Sequence, residues 1–178
     1  MGSKIYEQIV AQRGRLENLM TRLPGFKGYH AKDARRKADR LLRDHLVQEI
    51  EALISRYDNL QKKLLDGGKG LAYMSRARDV KSKLQSYSDV VASAAPKYSG
   101  PFEAVKITEE HLDRIYAFDE AQFRFLHQFE QALDTLETAI DEGGDIDSAL
   151  DTVYQAAEDA LEAFRLRDNE ILRISDGI

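Results

Sequence analysis

Residues 126–140 read LHQFEQALDTLETAI, and this stretch decides the fold. Its apolar residues recur at alternating steps of three and four, at Leu126, Phe129, Leu133, Leu136 and Ile140. That spacing places one apolar stripe along a helix, whereas a half-buried strand needs alternation at every second residue. The stretch therefore predicts a long amphipathic helix.

The same alternation recurs in four other segments, and no segment alternates at every second residue. The five predicted helices span about 4–22, 32–65, 71–95, 109–141 and 148–174. Proline or glycine interrupts the pattern between consecutive helices, as expected where helices end. The sequence therefore predicts an all-α fold, an elongated antiparallel, up-and-down and coiled-coil-like bundle of about five helices.

Short glycine-containing turns predict two helical hairpins, about 32–95 and 109–174, preceded by a short N-terminal helix. Up-and-down topology would bring the two proline-containing connections, 23–31 and 96–108, to one end of the bundle. A chain of 178 residues with 43% hydrophobic composition is long enough to bury one core. We therefore expect a single helical-bundle domain over 1–178.

Composition excludes several classes of protein. The chain has no cysteine, which excludes disulfides, cysteine-ligated zinc, iron–sulfur clusters and a thiol nucleophile. No apolar run approaches the roughly 20 residues that span a bilayer, and no hydrophobic leader is recognised. We therefore expect a soluble, cytoplasmic protein.

Catalytic and metal-binding patterns are not found in the sequence. A di-iron bundle needs Glu-x-x-His on two helices, and this chain has no such motif. The acidic turn at 141–147 departs from the calcium-binding EF-hand pattern, and the turn at 67–70 lacks the strand that precedes a phosphate-binding loop. We therefore expect no metal, no cofactor, no small-molecule substrate and no enzymatic activity.

Charge is distributed unevenly, although the net charge is only −5. Of the 26 lysines and arginines, 19 precede residue 90, whereas 20 of the 31 acidic residues follow residue 89. One interpretation is that basic helices pack beside acidic helices, where each surface ion pair is worth about 0–1 kcal/mol. The other is that the basic half contacts nucleic acid or an anionic membrane.

The densest basic patch lies at the start of the second predicted helix. It comprises Lys32, Arg35, Arg36, Lys37, Arg40 and Arg43. Cations are unfavourable at a helix N-terminus because the helix dipole is positive there. We therefore expect a compensating partner, either an internal acid such as Glu109 or an external anion.

Aromatic residues mark two further regions. The two proline-containing connections carry Phe26 with Tyr29 and Tyr98 with Phe102. The fourth predicted helix has more apolar surface than one stripe uses, because Phe118 and Phe125 are among the aromatic residues that lie beside or off the stripe. Such a helix is either central in the bundle, which we favour, or covered by another subunit.

Arg167 occupies a position in the stripe of the fifth predicted helix where an apolar residue is expected. If it turns inward, it stacks on Tyr29 or Tyr98, or pairs with an acid of the fourth helix. If the helix has left the core at this point, Arg167 extends into solvent instead.

These features predict a helical scaffold or adaptor that acts through protein–protein interaction, with a protein partner or with a second copy of the chain. Self-assembly is favoured because a basic half and an acidic half complement each other. The expected contact residues are Phe26, Tyr29, Lys32, Arg35, Arg36, Arg40, Arg43, Tyr98, Phe102, Phe118, Phe125 and Arg167. The alternative is a binder of anionic membranes or nucleic acid that uses the basic half, restrained by the acidic half.

Overall fold

The computed structural model describes residues 2–12, 14–68, 70–94 and 106–176, without the side chains of residues 2, 3, 32 and 33. All regular structure in these ranges is helical, and they contain no strand. The helices are α1 (Gly2–Val10), α2 (Leu16–Arg22), α3 (Lys32–Asp66), α4 (Gly70–Ser93), α5 (Glu109–Glu142) and α6 (Ile146–Ser175). The predicted all-α fold is confirmed.

The predicted single helix at 4–22 is wrong, because this segment forms the two short helices α1 and α2. Gly14, between them, lies so close to α5 that an added Cβ would overlap the backbone of Tyr116 and Ala117. A straight helix through residue 14 would not allow this approach together with the packing of both short helices on α5. We call α1 and α2 together the N-terminal arm.

Each hairpin consists of two antiparallel helices in direct contact. In the first hairpin, Tyr57 Oη donates a hydrogen bond to the carbonyl oxygen of Ala77 at 2.8 Å, and Arg43 Nη1 donates to that of Ala94 at 2.8 Å. In the second, Arg114 of α5 is 3.2 Å from Glu170 of α6. The hairpins pack with α3 beside α5 and α4 beside α6.

Helices that pack across the two hairpins run in the same direction, with α3 beside α5 and α4 beside α6. Along α3 and α5, Arg56 pairs with Asp134 at 2.7 Å, and Lys63 pairs further along with Asp141. Helix α5 packs beside α3, with which it shares a direction. Each is the first helix of its hairpin, so the helix directions still alternate along the chain.

Basic α3 and α4 thus lie beside acidic α5 and α6, and ion pairs join them. Besides the pairs of α3 with α5, Arg76 of α4 pairs with Asp151 of α6, and Lys83 pairs with Glu158 at 3.5 Å. The interpretation that the charge asymmetry is satisfied within the chain is correct for these groups. Each pair is partly exposed, so its stabilising effect is small.

The surplus apolar surface of α5 is buried within the chain itself. Phe118 is 0% exposed and its ring centroid lies 5.8 Å from that of Tyr6 in α1. Phe123 and Phe125 are also buried, at 4% and 8% exposure. The N-terminal arm therefore covers the additional apolar face of α5. A second subunit, which was the alternative expected from the sequence, is not needed to bury these residues.

Candidate functional site

The residues that the sequence marked for partner contact divide into two groups. Buried side chains are those of Phe26, Tyr29, Arg35, Arg43, Phe118, Phe125 and Arg167. Exposed side chains are those of Arg36 and Arg40. Tyr98, Phe102 and the side chain of Lys32 lie outside the described residues. The buried group contacts the interior of the chain in this structure, so a role of these residues at a partner surface stays a prediction.

Arg167 lies at the centre of a buried ionic cluster, which we define as Tyr29, Asp39, Arg43, Asp119 and Arg167. Arg167 Nε donates to Asp119 Oδ1 at 2.6 Å, and its Nη2 donates to Asp39 Oδ1 at 2.8 Å. Arg43 Nε donates to the other oxygen of Asp39 at 3.0 Å, and Tyr29 Oη donates to Asp119 Oδ2 at 2.5 Å. The outward orientation considered for Arg167 is wrong, because this side chain is 1% exposed.

The buried ionic cluster joins three long helices and the 23–31 connection, because Asp39, Asp119 and Arg167 belong to α3, α5 and α6. Its two arginines and two aspartates balance in charge. Burial raises the pKa of the Asp119 carboxyl, while Arg167 and Tyr29 oppose that shift by stabilising the ionised form. The cluster therefore aligns three helices, since any displacement would leave a buried charge without its partner.

The 23–31 connection is fixed to α5 through its aromatic residues. The backbone N–H of Tyr29 donates to Tyr116 Oη at 3.1 Å, and the two rings stack with centroids 5.6 Å apart. Burial raises the pKa of Tyr116. Gly28 has a φ of +75°, and an added Cβ would lie 2.5 Å from the same hydroxyl, so a side chain there would be strained and would clash.

Two arginines of the predicted basic patch are buried and bonded inside the chain. Arg35 Nε donates to the carbonyl oxygen of Tyr29 at 2.7 Å, and Arg43 belongs to the buried ionic cluster. Arg40 lies 3.8 Å from Asp44, which leaves Arg36 and Lys37 as exposed cations without an ion pair among the described residues. The patch is therefore not a continuous cationic surface in the described part of the chain.

A groove of about 550 Å³ lies between α2, α3 and α5, and we call it the α2–α5 groove. Leu53, Phe123 and Leu126 contribute its apolar wall, and Ala52 lies at its exposed edge. The charged residues that line it are Arg22, Glu49, Arg124, His127 and Glu130. The groove therefore combines an apolar wall with groups that form hydrogen bonds, as protein and ligand sites commonly do.

The two arginines of the groove differ from its two glutamates in whether they form ion pairs. Arg22 lies over the Phe123 ring, 5.2 Å from its centroid, and burial lowers the pKa of the Arg124 guanidinium, which the charge of Glu120 opposes. Arginine remains cationic at neutral pH despite such a shift. Neither guanidinium has a carboxylate within 4.0 Å among the described residues, whereas histidines pair with both glutamates of the groove.

Sequence reasoning missed Arg22 and Arg124. Arg124 stands between two aromatic residues in the run Phe123-Arg124-Phe125, and a cation within an aromatic run is the signal that could have found it. Arg22 carries no comparable signal, because only the fold of the N-terminal arm brings the end of α2 to the side of α5.

Across the described ranges, no helix is long and apolar enough to cross a membrane. In the same part of the chain, no three side chains of the metal-binding types come together in a group that could hold an ion. Comparison with protein-family models, with curated proteins and with solved structures finds no match to this chain. Function is therefore inferred from the geometry of the chain itself.

Proposed function

We propose that this protein is a non-enzymatic helical scaffold or adaptor that acts through protein–protein interaction, and that a partner docks in the α2–α5 groove. The observation that carries the proposal is the groove itself, which places Leu53, Phe123 and Leu126 beside two arginines on the surface of the bundle. Apolar grooves between helices are a common docking site for a helical or extended segment of a partner.

The rest of the bundle supports this proposal by fixing the walls of the groove. The buried ionic cluster holds α3 against α5, and Arg56 links the same helices through Asp134 and Glu137. A preformed site loses less conformational entropy on binding than one that must first be ordered. The proposal includes an elongated, coiled-coil-like frame, a cytoplasmic location and the capacity for self-assembly.

The experiment is affinity capture from an extract of the source cells with three forms of the full chain. Ala52→Trp places a large neutral side chain at the exposed edge of the groove without altering the core, and Ala72→Trp at an exposed position of α4 is the matched control. We expect a protein that is captured by the wild type and by Ala72→Trp, and is lost with Ala52→Trp. Capture of the same proteins by all three forms would contradict docking in the groove.

The second candidate function is binding to an anionic membrane or to nucleic acid, which exposed Arg36 and Lys37 favour. The internal use of Arg35 and Arg43 weighs against it, because counterion release from a polyanion requires several accessible cations. Sedimentation with phosphatidylserine vesicles and with a DNA duplex tests it. Binding at about 0.1 M salt that is lost on changing Arg36 and Lys37 to Glu would favour this function over the adaptor.

A further inference from the structure

We infer that the occupant of the α2–α5 groove is an acidic peptide segment of a partner protein, with a carboxylate held by Arg22 and Arg124 and an apolar side chain on the wall formed by Leu53, Phe123 and Leu126. This inference rests on the proposed function and names the chemistry of the partner.

The first support is that the two groove arginines lack the carboxylate partner that two arginines between the long helices have. Arg56 pairs with Asp134 and Glu137, and Arg76 pairs with Asp151. Arg22 and Arg124 have no carboxylate within 4.0 Å in the described part of the chain, although both line the groove. A guanidinium beside an apolar wall binds a carboxylate well, through two parallel hydrogen bonds in partly desolvated surroundings.

The second support is that the acids around the groove are already engaged. Glu49 lies 2.9 Å from His45, and Glu130 lies 3.4 Å from His127. Glu120, on the other side of Arg124, accepts hydrogen bonds from the backbone N–H of Arg15 at 2.5 Å and from the side chain of Asn18 at 3.3 Å. The charge of Glu120 acts on Arg124, but none of these acids forms an ion pair with either groove arginine, so direct pairing is left to a carboxylate from outside.

The third support separates a peptide from a polyanion. Glu49, Glu120 and Glu130 stand around the arginines, so a run of phosphates would meet negative charge on either side. A peptide places one carboxylate at the arginines and an apolar residue beside it. The apolar wall can accept that apolar residue, whereas a run of phosphates has no apolar group to place against it.

The test begins with a displayed library of random peptides selected on the full chain. The peptides enriched on the wild type but not on Ala52→Trp are synthesised with a fluorophore, and their dissociation constants are measured by anisotropy. We expect them to share an Asp or Glu next to Leu or Phe. We expect Arg124→Ala and Arg22→Ala each to weaken peptide binding by about tenfold or more. Arg78→Ala, at an exposed position of α4, should leave the affinity unchanged.

A paired substitution separates charge from packing. Replacing the acidic residue of the peptide by its amide weakens binding to the wild type, and has little further effect on Arg124→Ala, because the interaction has already been removed. We expect Arg124→Lys to keep part of the affinity that Arg124→Ala loses, because lysine retains the positive charge. Thermal unfolding of each variant checks that the fold is retained.

The outcomes distinguish the inference from the proposed function. Groove-dependent peptides without an acidic residue, or with no response to the amide exchange, would overturn the inference and leave the docking function standing. A library that gives no peptide sensitive to Ala52→Trp would overturn both. A DNA oligonucleotide, or a second copy detected as a dimer by light scattering, that depends on Arg22 and Arg124 would replace the acidic peptide as occupant.

Discussion

Two regions of the molecule place arginines beside aromatic rings, and they satisfy those arginines differently. In the buried ionic cluster, Arg167 is 1% exposed and bonds to Asp39 and Asp119. In the α2–α5 groove, Arg22 lies over the Phe123 ring, and neither Arg22 nor Arg124 has a carboxylate within 4.0 Å in the described ranges. The first region therefore specifies how helices align, whereas the second leaves two cations without an ion pair, which is why we assign a ligand to it.

The largest effect is expected from Arg167→Ala, which would leave Asp39 and Asp119 buried without their shared cation. Breaking a buried ion pair in this way lowers the free energy of unfolding by about 3–5 kcal/mol. Urea denaturation followed by circular dichroism measures it. The control is Arg165→Ala, an exposed neighbour on α6, and equal losses in the two variants would show that the cluster has no special role.

Gly14→Ala tests whether the N-terminal arm needs its close approach to α5. The added Cβ would overlap the backbone of Tyr116 and Ala117, so the arm must shift, which lowers the free energy of unfolding by about 1–3 kcal/mol. Limited proteolysis of the arm should become faster at the same time. Gly67→Ala is the control, since the nearest atom to its added Cβ is 3.5 Å away, and a larger loss there would contradict this account.

Arg56→Gln sharpens the comparison by removing a cation that is paired but partly exposed. Its side chain is 31% exposed and contacts Asp134 and Glu137, so the expected loss of unfolding free energy is about 0.5–1 kcal/mol. That loss should shrink in 1 M salt, where charges are screened within about 3 Å. A loss as large as that of Arg167→Ala would break the distinction between buried and exposed pairs.

The smallest effect on stability is expected from Arg124→Ala, despite the partial burial of this side chain. No carboxylate within 4.0 Å among the described residues loses a partner, so the free energy of unfolding should change by less than about 1 kcal/mol. Thermal unfolding checks this, in contrast to the large loss of affinity expected for acidic peptides. A loss of several kcal/mol would mean that Arg124 serves the fold rather than a ligand.

Much of the fold could be predicted from the sequence because helix periodicity and helix ends are local. The alternation from Leu126 to Ile140 lies within α5, which the sequence placed at about 109–141. Thr108 caps this helix, accepting a hydrogen bond from the backbone N–H of His111 at 3.3 Å, and Gly143 ends it with a φ of +73°. The division of the first segment into α1 and α2 could not be predicted, because its cause is the contact of Gly14 with α5.

The candidate site was less accessible to sequence reasoning. The irregular position of Arg167 left an inward and an outward orientation open, and for the inward one an acid of α5 was among the partners considered, but Asp39 was not. Arg22 and Arg124 are about a hundred residues apart, and only the packing of α2 on α5 places them in one groove. A sequence pattern does not predict this proximity, because it gives the spacing of residues within one helix and not which helices pack together.

The sequence by itself determined that this protein is all-α, where its long helices begin and end, and that one half is basic and the other acidic, because these properties depend on neighbouring residues and on composition. The tertiary structure alone decided that α5 packs beside α3 in the same direction, that the N-terminal arm covers the aromatic face of α5, and which cations are paired. The reason is that pairing and burial arise from contacts between residues far apart in the chain, where several packings satisfy the same local pattern.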